Sequence, residues 1–407
     1  MTATQKNSLL SIPVIVAALG YFVDIYDLLL FSIVRVPSLK SLGLSDELIR
    51  DRGMDIIGHQ MIGLLIGGII WGMMGDKKGR LSVLFGSIIL YSIANIANGF
   101  VHTAEQYSWC RFIAGIGLAG ELGAGITLVS ELIPKEKRGI ATSLVAGIGL
   151  SGAILAYFIS QNFDWRVCYY IGGGLGFSLL FLRMSVFESG MFHQMKSSEV
   201  SRGNFLMFFT NWRRFKKYLL AILIGLPTWY CIGILISFSK EFGKAFGIEG
   251  DINPGKAVMF AYVFISIGDV MIGFVSQALR SRKKALYIFY ALTIIGIVLY
   301  FNQQGGSTTQ MYAICAFLGF GTGFWAIFVT MAAEHFGTNL RATAATTVPN
   351  MVRGSLPLMT LLFQYFQTKQ SYIEAAATTG ILVMFITLIA AYFTEETFGK
   401  DLNFIEE

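Results

Sequence analysis

Apolar residues run through this chain in long blocks separated by short polar or charged stretches. Twelve blocks are long enough to cross a bilayer: 10–35, 54–75, 81–101, 106–133, 139–162, 165–185, 217–243, 256–279, 285–303, 310–333, 339–367 and 371–394. A helix needs about 20 apolar residues to span the hydrocarbon core. The blocks are too long and too uniformly apolar for the short alternating strands of a membrane barrel. The pattern therefore predicts an all-α membrane protein with twelve transmembrane helices. The longest polar stretch, 186–216, divides them into an N-terminal six-helix bundle (1–185) and a C-terminal one (217–407) that ends in a short tail. Inside this central loop the run Phe205-Leu206-Met207-Phe208-Phe209 is apolar, so it is either an amphipathic segment on the membrane surface or a plain tether.

Composition agrees. Of 407 residues, 54% are hydrophobic and 14% charged, whereas soluble domains carry about 25% charge. Little chain is left over for a soluble domain. Basic residues gather in the loops after spans 2, 4, 6 and 8: Lys77, Lys78 and Arg80; Lys135, Lys137 and Arg138; Arg213, Arg214, Lys216 and Lys217; Arg280, Arg282, Lys283 and Lys284. The positive-inside rule makes that face cytoplasmic and brings both termini to it. Arg50, Arg52, Lys240 and Lys244 are exceptions on the opposite face. With no folded domain to present a basic patch, nucleic acid is not an expected partner. The partners expected are the lipid bilayer, protons and a small molecule, and the chain is expected to act as a monomer. Cys110, Cys168, Cys231 and Cys315 fall inside spans without paired spacing, so neither disulfides nor a cysteine metal site is expected. No Asn-x-Ser/Thr site occurs, which leans toward a bacterial inner membrane.

The halves echo one another. Span 2 ends Gly72-Met-Met-Gly75-Asp76-Lys77-Lys78-Gly79-Arg80, and span 8 ends Gly273-Phe-Val-Ser276-Gln277-Ala-Leu-Arg280. Span 4 leads into Glu131-Leu-Ile-Pro134-Lys-Glu-Lys-Arg138, span 10 into Glu334-His-Phe-Gly-Thr-Asn-Leu-Arg341: in each, an acid and then Arg seven residues on. Parallel halves joined by a central loop are a transporter architecture. GMMGDKKGR resembles the Gly-x-x-x-Asp-Arg-x-Gly-Arg loop signature of the major facilitator superfamily, with Lys77 in place of the usual Arg. ELIPKEKRG resembles that superfamily's loop between helices 4 and 5, and Arg111-x-x-x-Gly115-x-Gly117 its helix 4 signature. The resemblance extends through all twelve spans. It implies a cytoplasmic gate in which Gly72 and Gly79 permit close helix approach, Asp76 faces the start of span 11, and Arg80, Glu131, Arg138, Glu334 and Arg341 complete a charge network. A solvated loop obeying the positive-inside rule is the plainer reading of the same charges.

Charges also lie at mid-depth, where an ionised group costs roughly 2.5–3.5 kcal/mol on insertion scales and survives facing a cavity or a partner. Asp24 and Asp27 share one face of span 1. At 1.5 Å per residue, Asp24 lies roughly 20 Å and Glu121 roughly 19 Å from the cytoplasmic ends of their helices. Helices 1, 4, 7 and 10 surround the central cavity in the superfamily, so the resemblance brings these acids within reach of one another. Asp24, Asp27 and Glu121 are candidates for proton coupling, with static ion pairing as the alternative. Arg111 lies higher, near the level of Asp27, and either binds substrate, as Asp269 of span 8 also could, or pairs with Asp27. The stretch around Asp24 resembles helix 1 of the aromatic-acid and metabolite:proton symporter branches, and Gly117-Leu-Ala-Gly120-Glu121-Leu122-Gly123 resembles the Gly-Gly-Glu-Trp-Gly run of the metabolite:proton group, with Leu122 replacing Trp. In span 11, Thr346-Thr-Val-Pro349-Asn350-Met-Val-Arg353-Gly354 resembles the Asn-x-x-Arg-Gly pattern of organic-ion and metabolite branches. Arg353 either anchors an anionic substrate, as a guanidinium fork suits, or pairs with Asp269, nearly level in span 8.

Tyr26, Trp229, Tyr230 and Trp325 either stack a substrate ring or pack as wall, and His59 is either a proton-uptake group or a packing residue. Gly172-Gly-Gly174-x-Gly176 is too apolar for a nucleotide loop and reads as helix packing. No metal-ligand set or activated nucleophile stands out, so enzymatic activity, metals and cofactors are not expected. The expectation is a secondary active transporter taking up a small organic anion with protons. The alternatives are a proton-driven exporter of drug-like or siderophore-like compounds, a sugar or sugar-phosphate porter and, remotely, a non-transporting sensor. Exporters of the superfamily carry a Gly-Pro signature in helix 5; here LVAGIGLSGAILAYF has no proline.

Overall fold

The computed structural model describes residues 12–78, 80–121, 123, 125, 145–188, 205–337 and 339–400. Among the described residues, helix lies within each of the twelve expected blocks, while 122, 124 and 126–144, in spans 4 and 5 and between them, are outside the description. The first half holds Ile12–Ser41, Asp46–Lys78, Arg80–Asn98, Ala104–Leu118, Gly152–Asn162 and Trp165–Glu188. Of the described helices, nine are long and apolar enough to cross a membrane. Several described helices start at side-chain caps: Thr103 accepts from the Gln106 N–H, Asn253 from Lys256, Ser281 from Lys284, and Ser371 forms a capping box with Glu374.

Three spans of the second half are broken near their middles. Span 7 consists of Trp212–Leu223, a short turn at Leu226–Trp229 started by Pro227, and a π-helical segment Tyr230–Ile236. Span 10 is split into Thr308–Gly321 and Trp325–Glu334, and span 11 into Arg341–Gly354 and Leu356–Gln367. Spans 8, 9 and 12 are continuous: Pro254–Leu279, Arg282–Phe301 and Tyr372–Phe393. Irregular backbone at membrane depth persists only where it is buried in protein or lines a cavity. The breaks therefore mark the interior side of this half.

Close packing repeats in the two halves. Span 2 meets span 4 where Gly63 lies against the Phe112 carbonyl and Gly115 against that of Gln60. Span 8 meets span 10 in the same manner, with Gly268 against the Phe320 carbonyl and Gly319 against that of Ala261. Glycine is required there because any Cβ would collide with the facing backbone. Spans 2 and 11, 1 and 8, and 5 and 8 then join the halves. Gly172, Gly173 and Gly176 of span 6 pack on Tyr26, Ile96 and Ser92.

The described end of the central loop, 205–211, departs from a surface-lying or tethering segment. Phe205–Phe208 forms one turn of 3₁₀ helix, and Phe208 is fully buried, stacked on Tyr218 at 4.4 Å and edge-on to Phe336 at 4.9 Å. Aromatic burial docks this turn onto the ends of spans 7 and 10. Span 7 begins at Trp212, ahead of 217, because Asn211 accepts a hydrogen bond from the Arg213 N–H and caps the helix there.

Candidate functional site

Asp27 and Arg111 form a salt bridge of 2.9 Å, both completely buried. The guanidinium also donates to Asn98 at 3.2 Å and to Asn95, and lies 4.6 Å from the centre of the Tyr169 ring. With its donors this fully engaged, Arg111 is held inside the first half and is not among the residues that line the cavity described below. Tyr26 is turned the same way: its hydroxyl donates to the Cys168 carbonyl of span 6 at 2.8 Å.

Glu121 is paired through both carboxylate oxygens with Arg183 of span 6. Both side chains are 1% exposed. Gly20 of span 1 makes room for this bidentate pair, since a Cβ there would overlap Glu121 Oε1 and Arg183 Nη2. Arg183 was not among the residues expected at the site. Its signal in the sequence was an arginine in the apolar stretch Phe181-Leu182-Arg183-Met184.

Asp24 differs from both. It is fully buried, and neither carboxylate oxygen has a hydrogen-bond partner. The charge that bears on it most strongly is Arg353 across the interface, followed by Glu121, Asp27 and Arg183.

In the second half Asp269 accepts a hydrogen bond of 3.0 Å from the Ala326 N–H, in the first turn of Trp325–Glu334. A carboxylate at a helix N-terminus meets free N–H groups and the positive end of the dipole. Asp269 thus supports the break in span 10. Among the described residues no ion pair joins it to Arg353. Arg353 donates instead to Asn350 at 3.2 Å, and its Nε has no partner. Its guanidinium carbon lies 5.5 Å from the Trp325 ring centre and 6.0 Å from that of Trp229, within cation–π range of two indoles. These three residues, with Tyr21, Thr228 and Tyr262, line a cavity of about 20 Å³ between the halves. That space is large enough for about one water. The Tyr21 hydroxyl, Thr228 Oγ1 and Trp325 Nε1 around it also lack partners. Tyr230 points elsewhere and donates to the Ala376 carbonyl of span 12 at 2.7 Å.

Contacts between the halves flank this cavity on both sides. On the face opposite the basic loops, buried Arg35 of span 1 is paired with Glu241 at 2.8 Å and lies 4.3 Å from the Phe238 ring centre. Composition pointed to neither partner, since both lie near a loop. His59 is exposed and bonded to the Asp55 carbonyl at 2.8 Å. Toward the basic face, Asn350 donates to the Ala119 carbonyl at 2.8 Å, and Gly72 packs on Thr347 and Thr343 of span 11. Glu334 is paired with Arg282 at 3.3 Å, within the second half. Arg341 is described at the start of span 11. Of the other expected gate residues, Gly79, Glu131 and Arg138 and the side chains of Asp76 and Arg80 lie outside the described residues.

The profile described as Major Facilitator Superfamily matches residues 17–357. The niacin transporter NiaP of Acinetobacter baylyi is 24% identical, covering 96% of this chain and 95% of that protein. The 3-(3-hydroxy-phenyl)propionate transporter of Escherichia coli is 25% identical, with 81% of each chain covered. Among solved structures, the proton:xylose symporter XylE superposes with a TM-score of 0.70 at 15% identity, covering 96% of this chain and 97% of that one.

Proposed function

The chain belongs to the Major Facilitator Superfamily, whose members are secondary transporters rather than enzymes, and from that premise we propose that it carries a small aromatic or heteroaromatic carboxylate together with a proton by alternating access. The observation that carries this reading is Arg353, buried between Trp229 and Trp325 at the interface of the halves. A guanidinium fork takes a carboxylate through two parallel hydrogen bonds. Flanking indoles offer π faces to a planar ring. The named substrates of the two relatives, niacin and a hydroxyphenylpropionate, have this combination of ring and acid.

Proton coupling follows from charge balance. Asp24 is buried without a hydrogen-bond partner and feels the charge of Arg353, so deprotonated Asp24 competes with an incoming anion for that guanidinium. Protonation of Asp24 removes that competitor, so anion and proton load together as a neutral pair. Arg353 retains its charge throughout, as guanidinium does at any physiological pH. The broken middles of spans 7, 10 and 11 supply the local bending that opens a larger cavity, and the contacts at Arg35–Glu241 and at Gly72–Thr347 are broken alternately.

The test is uptake by proteoliposomes with an acidic exterior, using radiolabelled nicotinate and benzoate, with xylose for comparison. Expected are accumulation of the acids driven by the pH gradient and no accumulation of xylose. Arg353→Lys keeps the charge and removes the fork, so KM rises about tenfold or more, in keeping with the roughly 1.5–3 kcal/mol of charged hydrogen bonds. Xylose uptake, or acid uptake indifferent to the pH gradient, overturns the proposal.

A further inference from the structure

Span 7 starts on the basic face with an amphipathic helix. Trp212–Leu223 buries Arg214, Tyr218 and Ala221 and leaves Arg213 and Lys216 exposed and Lys217 half-buried. These three cations, with Leu220, meet the ends of spans 10 and 12 around a cavity of about 250 Å³. His335 and Phe393 complete its wall, together with Thr394 and Glu395. Among the described residues of the lining Glu395 is the one acid, so they carry net positive charge. Among the described residues none of Arg213, Lys216 and Lys217 has an ion pair, and the Lys216 ammonium rests 5.4 Å from the Phe393 ring centre.

The second observation is His335. It is 2% exposed, lines the cavity, and neither ring nitrogen has a hydrogen-bond partner. Burial first, then Lys400 and Lys217, hold its pKa down to about 4, so the ring is neutral and presents one N–H. Buried polar groups in native proteins are rarely left unpaired, and an exception calls for a partner. Apart from Glu395, the charged and ring nitrogen groups around this cavity are donors suited to an anion's oxygens.

The surroundings decide which anion. Trp212 is 73% exposed and Phe393 55% exposed beside the cavity. A tryptophan at a helix end marks the headgroup level; beside it, exposed Phe393 and half-buried Leu220 offer an apolar border to the cavity. Basic pockets between transmembrane helices on this face suit acidic lipid headgroups. We propose that the cavity between the ends of spans 7, 10 and 12 binds the phosphate of an anionic phospholipid, with its chains lying along Leu220 and Phe393. Lys216 then leaves the Phe393 ring for the phosphate, and His335 donates through its N–H. Both walls belong to the second half, so the lipid ties the start of span 7 to the end of span 10, whose neighbour Glu334 holds Arg282.

The experiment uses the purified full-length protein in detergent, with thermal unfolding and native mass spectrometry as readouts. Phosphatidylglycerol, phosphatidylcholine and inorganic phosphate are added separately. Expected are a raised Tm and retained lipid adducts with phosphatidylglycerol alone. The triple variant Arg213→Gln, Lys216→Gln, Lys217→Gln loses three charges worth about a hundredfold in apparent affinity. It should keep the lipid-free Tm and lose the increment. Lys283→Gln with Lys284→Gln, on the same face but outside the cavity, should keep it. Lys216→Glu, a single exposed change, should likewise lose the increment and serves in place of the triple variant if that one fails to fold. An unchanged increment in these cavity variants, an equal one with phosphatidylcholine, or protection by inorganic phosphate alone overturns the proposal.

Discussion

Replacing Arg183 by Gln strands the Glu121 carboxylate at a position 1% exposed. Removing one member of a buried pair costs about 3–5 kcal/mol, because the remaining charge has no water to return to. Glu121→Gln strands the guanidinium in the same way. Either change consumes a large share of the roughly 5–15 kcal/mol that separates a folded domain from its unfolded state. The double variant, Gln at both positions, keeps the shape at 121, leaves a shorter side chain at 183, and replaces the two charges by neutral amides that can hydrogen-bond. Its cost should be no more than about 2 kcal/mol, which implies a coupling of several kcal/mol between the sites. Unfolding by SDS in mixed micelles, run on all four proteins, measures that coupling. Additive losses, or a Glu121→Gln variant as stable as the parent, would refute the reasoning. The same double variant separates the two roles open to Glu121. Retained uptake driven by the pH gradient identifies the pair as a lock between spans 4 and 6. Loss of coupling in a well-folded double variant returns Glu121 to the proton path beside Asp24.

Asp24→Asn should keep exchange of labelled for unlabelled substrate and lose accumulation driven by the pH gradient; persistent accumulation counts against Asp24 as the proton carrier. Glu241→Gln leaves Arg35 buried without its carboxylate, so the opposite face should open more often, and a cysteine introduced at Ser237 should react with impermeant maleimide several-fold faster; an unchanged rate removes this pair from the gate. Gly68→Val should slow transport while leaving expression intact, since a side chain there meets Asn350 of span 11; unaltered turnover would show that spans 2 and 11 need not approach so closely. At Glu396, partial burial opposes ionisation, but hydrogen bonds from the Ser281 hydroxyl and the Phe398, Arg282 and Lys283 N–H groups outweigh it and hold the pKa at about 2, below its ordinary 4.5. A depressed carboxylate stabilises above its ordinary pKa and loses that contribution as pH falls through the folded value. The Tm advantage over Glu396→Gln should therefore be full near neutrality and shrink between about 4.5 and 2. It should also be modest, because the group is largely solvated; a difference independent of pH would exclude the linkage.

The chain's own pattern determined the class of protein and the order of its helices. Bilayer thickness imposes a length on every span, and water's absence forces each to be helical, so a one-dimensional record of apolar blocks was enough. It also identified which charges were out of place: Asp24, Asp27, Glu121, Asp269, Arg111 and Arg353 are all buried. Partner choice was different. The alternatives open for Arg353 were an anion and Asp269, which is nearly level by rise per residue. Depth along a helix, however, leaves the facing direction undetermined to within a turn. Only the packed structure turned Asp269 toward the Ala326 N–H, Tyr26 toward Cys168 and Tyr230 toward Ala376, while setting Arg353 between Trp229 and Trp325. Arg183 shows the limit most plainly. Its meaning depends on Glu121, 62 residues earlier, and on Gly20 yielding space to both. Hydrophobicity is a property of each position and survives in sequence, whereas pairing is a property of two positions that only the tertiary fold brings together.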